Sequence, residues 1–220
     1  MVWRKNVKFL LALVLALLAG PAVADGTVQV SSRTFYVGEI PEVTRKDPDF
    51  LPLDRIDWIQ DILDADPVMS RTVFHIFERR YDVRTEMAAT DNSLVYGRYN
   101  VRLPDERAPE GFMAFATRLE NPTIIRLVPK SALIPFSVIC GYDRNLESIH
   151  FCTANSSYAY DRAIDLRSRL YLPGDYLENG DFFRDVARRM HEIAVCLDVT
   201  YSEKDDQLDL SQSCDKPQTS

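Results

Sequence analysis

An uninterrupted apolar run at residues 9–19 constrains this chain most, because it decides the compartment in which the protein folds. Gly20 and Pro21 end the helix that this run can form, and residues 22–24 carry the small side chains that a signal peptidase needs. The segment before the run is basic and holds no acidic residue; its charges are Arg4, Lys5 and Lys8. The pattern predicts a cleaved signal peptide at residues 1–24.

A retained membrane anchor is the competing interpretation of the same run. The run is shorter than the roughly 20 residues that a membrane-spanning helix needs. No cysteine follows it closely, so a lipid anchor finds no attachment residue. We therefore expect a periplasmic or secreted protein with no membrane anchor after cleavage. A bacterial periplasm is favoured because the mature chain is less rich in cysteine than small secreted eukaryotic modules are.

The charge of the chain excludes several classes of partner. Its 220 residues include 26 basic and 33 acidic side chains, a net charge of −7. Without the three basic residues of the leader, 23 basic side chains face 33 acidic ones, so the mature charge is −10. Nucleic acids and anionic lipids attract clustered Lys and Arg, so neither is an expected partner. The length predicts a single domain at 25–200, for which the order of elements below indicates the α+β class, followed by a polar C-terminal tail at 201–220.

Four cysteines, all in the mature part, predict two disulfides, since an even number in an exported chain is typical of a disulfide framework. Three pairings are possible. Loop-closure entropy favours the local one, which joins Cys140 to Cys152. It also joins Cys196 to Cys214, and this second bridge would tether the tail. No C-x-x-C pair occurs, so neither a zinc site nor a thioredoxin-type redox motif is expected.

Two helices are predicted from apolar residues at helical spacing. The first covers about 54–65 with Asp54 as its N-cap, and the second covers about 181–198 with Asp181 as its N-cap. The second helix is amphipathic, and we expect Asp185 and Arg189 to pair on its solvent face. Its apolar stripe consists of Phe183, Val186, Ala187, Met190, Ile193, Ala194 and Leu197.

Alternating or β-branched segments separated by turn residues predict the strands. They are 28–37, 72–77, 93–103, 112–119, 123–128, 136–142, 148–153 and 163–172. The segment 72–77 also suits a helix, and we favour a strand. Strands followed by a helix indicate an α+β fold with a largely antiparallel sheet, packed by the two helices, in which Cys140 and Cys152 join neighbouring strands.

No motif for a metal, a cofactor or a nucleophile is complete. His191 and Glu192 begin like a zinc-peptidase helix, but Val195 stands where the second histidine would be. His150 is a weak catalytic candidate, as a general base beside Ser148 or Glu147. Four aspartates share one side of the first helix, and a solvated face explains them better than a cation site does; they are Asp54, Asp57, Asp61 and Asp64. We therefore predict no metal and no cofactor.

Arginine and tyrosine side chains on the outward faces of two predicted strands form the candidate binding surface. They are Arg98, Arg102, Arg167, Arg169 and Tyr171. These residue types are common in interfaces, and the patch suits a protein partner or an anionic envelope polymer. A solubilising sheet face is the alternative explanation.

The favoured functional hypothesis is a non-enzymatic periplasmic binding or interaction module, such as an inhibitor or an envelope accessory factor. The alternative is an exported hydrolase whose carboxylates and histidine meet only in the folded chain. No known family can be recognised from motifs in these residues.

Overall fold

The computed structural model describes residues 26–38, 40–47, 50–70, 72–78, 101–116, 119, 124–142, 149–172 and 174–201. The helices within these ranges are α1 (Glu42–Lys46), α2 (Asp57–Ala65) and α3 (Gly180–Leu197). The first strands are β1 (Thr27–Val30), β2 (Arg33–Tyr36), β3 (Phe50–Pro52), β4 (Thr72–Glu78) and β5 (Val101–Arg102). The others are β6 (Phe112–Ala116), β7 (Ile124–Pro129), β8 (Phe136–Tyr142), β9 (Ile149–Tyr158) and β10 (Asp161–Tyr171).

An eight-stranded antiparallel sheet dominates the fold, in the order β3-β4-β10-β9-β8-β7-β6-β5. Strands β5 to β10 follow one another as a meander, and β4 joins the free side of β10. This arrangement confirms the predicted α+β class with a largely antiparallel sheet. It also confirms that residues 72–77 form a strand.

The C-terminal helix α3 covers one face of the sheet, which we call the inner face. Every residue of the predicted apolar stripe is buried. The Phe183 ring lies 6.1 Å from Phe112 of β6, which in turn lies 6.0 Å from Phe136 of β8. Burying such aromatic rings stabilises the fold by about 2 kcal/mol each. The inner face is therefore the core of the protein, and any surface function falls to the outer face or the edges.

The first predicted strand, 28–37, is a separate two-stranded hairpin. Ser31 has φ 54, which turns the chain so that β1 and β2 pair with each other. The hairpin is closed by Gly26, whose carbonyl oxygen accepts hydrogen bonds from the amides of Val37 and Gly38. Gly26 has φ +82, and a Cβ there would lie 2.4 Å from the Gly38 carbonyl oxygen. Two adjacent serines are a weak turn signal, which explains the error.

Both predicted N-caps are wrong, because each aspartate has another partner. α2 begins at Asp57 after Ile56, and Asp54 lies in a 3₁₀ turn (Leu53–Arg55). α3 begins at Gly180 after Asn179, and Asp181 in its first turn accepts a 2.8 Å hydrogen bond from Arg184.

The bridge between Cys140 and Cys152 is confirmed. The two residues are directly opposite each other in β8 and β9, their Cα atoms are 4.1 Å apart, and both are buried. It is the disulfide seen within the described residues. Cys196 is buried near the end of α3, whereas Cys214 lies outside the described residues, so the second bridge stays a prediction. In the part of the chain that the structure describes, no helix is both long and apolar enough to cross a membrane.

Candidate functional site

The outer face of the sheet carries a cluster that we call the arginine face. It consists of His75 and Phe77 of β4, Arg167, Arg169 and Tyr171 of β10, and Phe151 and Asn155 of β9. These strands are neighbours in the sheet. Side chains alternate along a strand, so the exposed positions of β10 point away from its buried Leu166, Ser168 and Leu170.

The register of the three strands decides which side chains surround each arginine. Arg167 lies between His75 of β4 and Asn155 of β9. Arg169 lies between Val73 and Thr153 in the same two strands. None of these four flanking positions carries a carboxylate. The nearest carboxylates in the sheet and at its border are the buried Asp165, two residues before Arg167, and Asp54, which pairs with His75.

The guanidinium group of Arg167 contacts an aromatic ring and a side-chain amide. Its guanidinium carbon lies 4.8 Å from the centre of the Phe77 ring, within cation–π distance. Its Nε donates a 2.9 Å hydrogen bond to Oδ1 of Asn155. The terminal nitrogens are then the donors that remain to face solvent, in a geometry that suits a planar carboxylate.

Arg169 lies beside two aromatic rings. Its guanidinium carbon is 5.5 Å from the Phe151 ring centre and 5.7 Å from that of Tyr171. Tyr171 is 50% exposed and Phe151 is 37% exposed, unusual for large apolar side chains. Gly141, opposite Phe151 in β8, makes room for the ring: a Cβ at this glycine would lie 2.8 Å from Cζ of Phe151.

Arg167 and Arg169 are two of the three arginines of β10, the third being Arg162 near its start. Within the described residues, neither Arg167 nor Arg169 forms an ion pair. Elsewhere in the same part of the chain, ion pairs are common; they join Arg102 to Asp105, Arg184 to Asp181, Arg188 to Asp185 and Arg189 to Asp66. Arg45, Arg107 and Arg162 also have no ion pair within the described ranges. Arg167 and Arg169 differ from these in occupying successive outward positions of one strand beside aromatic rings.

A histidine and an aspartate meet at the border of the arginine face. His75 Nε2 lies 3.2 Å from Oδ1 of Asp54, and the Phe50 ring centre is 4.9 Å from the imidazole. Burial raises the pKa of Asp54, but its contact with His75 and the nearby charge of Arg55 outweigh burial and hold that pKa below the usual 3.8. We did not select His75 from the sequence. The alternation of 72–77 places it on one face, but only the register places it beside Arg167.

Two predicted binding residues do not join this cluster. Arg102 lies in β5 at the far edge of the sheet, about 24 Å from β10 if each strand spacing is about 4.8 Å. There it pairs with Asp105 at 3.2 Å. Arg98 lies outside the described residues. The structure thus places Arg167, Arg169 and Tyr171 on one face of β10 and Arg102 apart from them, and the binding role of all four stays a prediction.

The weak catalytic candidate His150 belongs to β9, but its side chain lies outside the described part of the structure. The aspartates of the first predicted helix have separate partners. Asp54 contacts His75, and Asp64 accepts a 2.7 Å hydrogen bond from Gln60. Across the described ranges, no three His, Cys, Asp or Glu side chains are grouped as metal ligands.

The third histidine, His191, is buried between α3 and β9. Its Nδ1 lies 2.9 Å from the Ala187 carbonyl oxygen and its Nε2 lies 3.0 Å from that of Ser157. Burial lowers the pKa of this imidazole below the usual 6.5, against the two hydrogen bonds, which favour the charged ring. A neutral imidazole can donate to only one of the two carbonyls at a time. The residue therefore belongs to the core, where burial disfavours the charged form of its ring.

Comparisons with protein-family models, with curated proteins and with solved structures give no significant match to this chain. The fold and the arginine face together define a class: an α+β protein whose antiparallel sheet presents an exposed cationic and aromatic patch on the side away from its C-terminal helix.

Proposed function

We propose that this protein is an exported, non-enzymatic interaction module that binds an anionic partner through the arginine face. The observation that carries the proposal is the exposed pair Arg167 and Arg169, for which the described residues offer no carboxylate partner. Such a pair in a chain of net charge −7 adds little to folding, because exposed charges contribute little to stability. It is well suited to recognition.

The aromatic rings support this role. Ordering a free arginine side chain costs about 2 kcal/mol of rotamer entropy. Contact with Phe77 restricts Arg167 before any partner arrives, and the rings of Phe151 and Tyr171 restrict Arg169. A preorganised guanidinium loses less entropy on binding, so more of the interaction energy remains as affinity.

Export is part of the proposal. A cut at the end of residues 1–24 would leave β1, which begins at Thr27, intact. The Cys140–Cys152 bridge is what an oxidising compartment allows. We place the mature protein in the periplasm or outside the cell, where its partner is an acidic protein or an anionic envelope polymer. An inhibitor or an envelope accessory factor fits this description.

A hydrolase is the second candidate, and the contact between His75 and Asp54 is what favours it. A carboxylate that orients an imidazole is a common part of acid–base catalysis. In the described part of the chain, however, no serine, threonine or cysteine hydrogen-bonds to the His75 ring. The binding function is therefore better supported.

The test uses the mature, oxidised protein on beads with an extract of the cell envelope. We expect a stoichiometric partner to be retained by the wild type and lost by the double variant Arg167→Glu, Arg169→Glu. Arg107→Glu is the matched control, because Arg107 is exposed in the 3₁₀ turn beside β5 and the charge change per site is the same. Unchanged far-UV circular dichroism shows that the variants fold.

Retention of the partner by the double variant would exclude the arginine face as the binding site. The hydrolase has its own test: turnover of ester, glycoside or peptide substrates that is lost in His75→Gln or His150→Ala would replace the binding proposal.

A further inference from the structure

We propose that the arginine face takes an extended acidic peptide segment lying along β10, with two carboxylates two residues apart and an apolar residue at each end. This inference rests on the proposed binding function and specifies the chemistry of the partner. It follows from the two arginines of the outer face of β10 and from the aromatic rings that lie beside them in β10 and its neighbouring strands.

The spacing of the charges is the first argument. Arg167 and Arg169 occupy successive outward positions of one strand, about 6.5 Å apart at the usual rise of a strand. In an extended peptide, side chains two residues apart point to the same side with the same spacing. Two acidic residues at such positions would therefore each meet one guanidinium.

The apolar side chains on either side of the charges are the second argument. On the Arg167 side lies Phe77, opposite Asp165 of β10, with Phe50 opposite it in β3. On the Arg169 side lies Tyr171, opposite Phe151. Along β10 itself the order on this side is Asp165, which is buried, then Arg167, Arg169 and Tyr171. The neighbouring strand β4 supplies the aromatic ring at the Arg167 end, and Tyr171 supplies the one at the other end.

A matching peptide carries apolar, acidic, acidic and apolar residues at alternate positions. The pattern is symmetric, so it suits either chain direction. A uniformly charged polymer has no apolar groups to place at the two ends, which is why the arrangement favours a polypeptide over an anionic wall polymer. Guanidinium groups also match a planar carboxylate through two parallel hydrogen bonds.

The experiment measures binding of fluorescent peptides to the mature, oxidised protein at about 150 mM salt, where loose surface attraction is screened. The pattern peptide has leucine, aspartate, aspartate and leucine at alternate positions with serine between them. The scrambled peptide has the same composition with the aspartates adjacent and the leucines together. We expect the pattern peptide to bind at least about tenfold more tightly, corresponding to one good charge-assisted contact.

Variants separate charge from geometry. Arg167→Lys with Arg169→Lys keeps both charges but loses the planar forks, so we expect the preference for the pattern peptide to disappear. Arg107→Lys should leave that preference unchanged. Equal binding of the pattern and scrambled peptides by the wild type would overturn the inference.

A further measurement compares the pattern peptide with two anionic polymers, polygalacturonate and polyphosphate, at matched charge concentration. If either polymer binds the wild type as tightly as the pattern peptide does, and Arg167→Glu with Arg169→Glu abolishes that binding, the peptide inference fails while the proposed function stands. If the double glutamate variant still binds every ligand and still retains the envelope partner, the proposed function itself fails.

Discussion

Nε of Arg189 in α3 donates a 2.7 Å hydrogen bond to Oδ2 of Asp66, the residue that follows α2. Glu192 pairs with the same guanidinium, and both carboxylates are nearly inaccessible to solvent. Asp185, the predicted partner of Arg189, instead pairs with Arg188. The helix spacing allows either pairing, and the position of α2 in the folded chain decides between them.

Replacing Asp66 with alanine should lower the free energy of unfolding by about 3 kcal/mol, because it leaves a partly buried arginine with one partner fewer. Oδ1 of Asp66 also accepts hydrogen bonds from the amides of Val68 and Met69. Asp66→Asn keeps an oxygen for those amides and should cost less. Urea unfolding of the two variants checks this order. Arg102→Ala, at the solvent-exposed ion pair with Asp105, is the control and should change little.

The Cys140–Cys152 bridge should contribute about 3 kcal/mol to stability, since it closes a short loop in the unfolded chain. Replacing both cysteines with alanine, or reducing the bridge during unfolding, should shift the urea midpoint to lower concentration by the corresponding amount. Because both residues are buried, reductant should act only on unfolded molecules. Rapid reduction of the native protein at low urea would contradict this expectation.

Stability should fall on acidification through His191. Its pKa is lowered by burial, so the unfolded chain binds a proton more readily than the folded one. The contribution is complete above pH 6.5, the ordinary pKa, and is lost as the pH falls from there through the lower pKa of the folded state. The slope reaches at most about 1.4 kcal/mol per pH unit.

Urea unfolding between pH 7.5 and pH 5 should show this slope in the wild type and not in His191→Gln. His75→Gln, which leaves the buried ring in place, serves as the matched variant and should keep the slope. A slope that survives in His191→Gln would assign the acid sensitivity to another group.

Gly141→Ala should weaken binding at the arginine face without unfolding the protein. The added Cβ would lie 2.8 Å from Cζ of Phe151, the far end of a movable side chain, so the ring shifts rather than the backbone. The ring is one of the two beside Arg169. Peptide affinity should therefore fall in Gly141→Ala and in Phe151→Ala. The double variant should lose no more than Phe151→Ala alone, and an additive loss would show that the two residues act separately.

Strand β9 is longer than the alternation of apolar residues predicts. The alternation of apolar residues predicts a strand at 148–153, but the strand continues to Tyr158. Ser156 occupies an inward position there, where the pattern calls for an apolar residue. Its hydroxyl donates a 2.6 Å hydrogen bond to the Pro135 carbonyl oxygen, which satisfies it in the core. A local pattern cannot reveal a partner 21 residues away.

The arginine face likewise contains some residues that a local pattern places there and others that only strand pairing places there. Arg167, Arg169 and Tyr171 share a face because alternation within one strand is a local property, and the sequence predicted it correctly. His75 and Phe77 join them because β4 pairs with β10, a neighbour distant in the chain. Arg102 is excluded because four strands lie between β5 and β10.

The amino-acid sequence alone determined the features that depend on neighbouring residues: the apolar stripe of α3 and the alternation of most strands. It also indicated the Cys140–Cys152 pair, because loop-closure entropy depends on separation along the chain. The tertiary structure decided the strand order, the capping of the helices and the surroundings of each arginine. These depend on contacts between distant segments, whose energies are settled only when the whole core is packed.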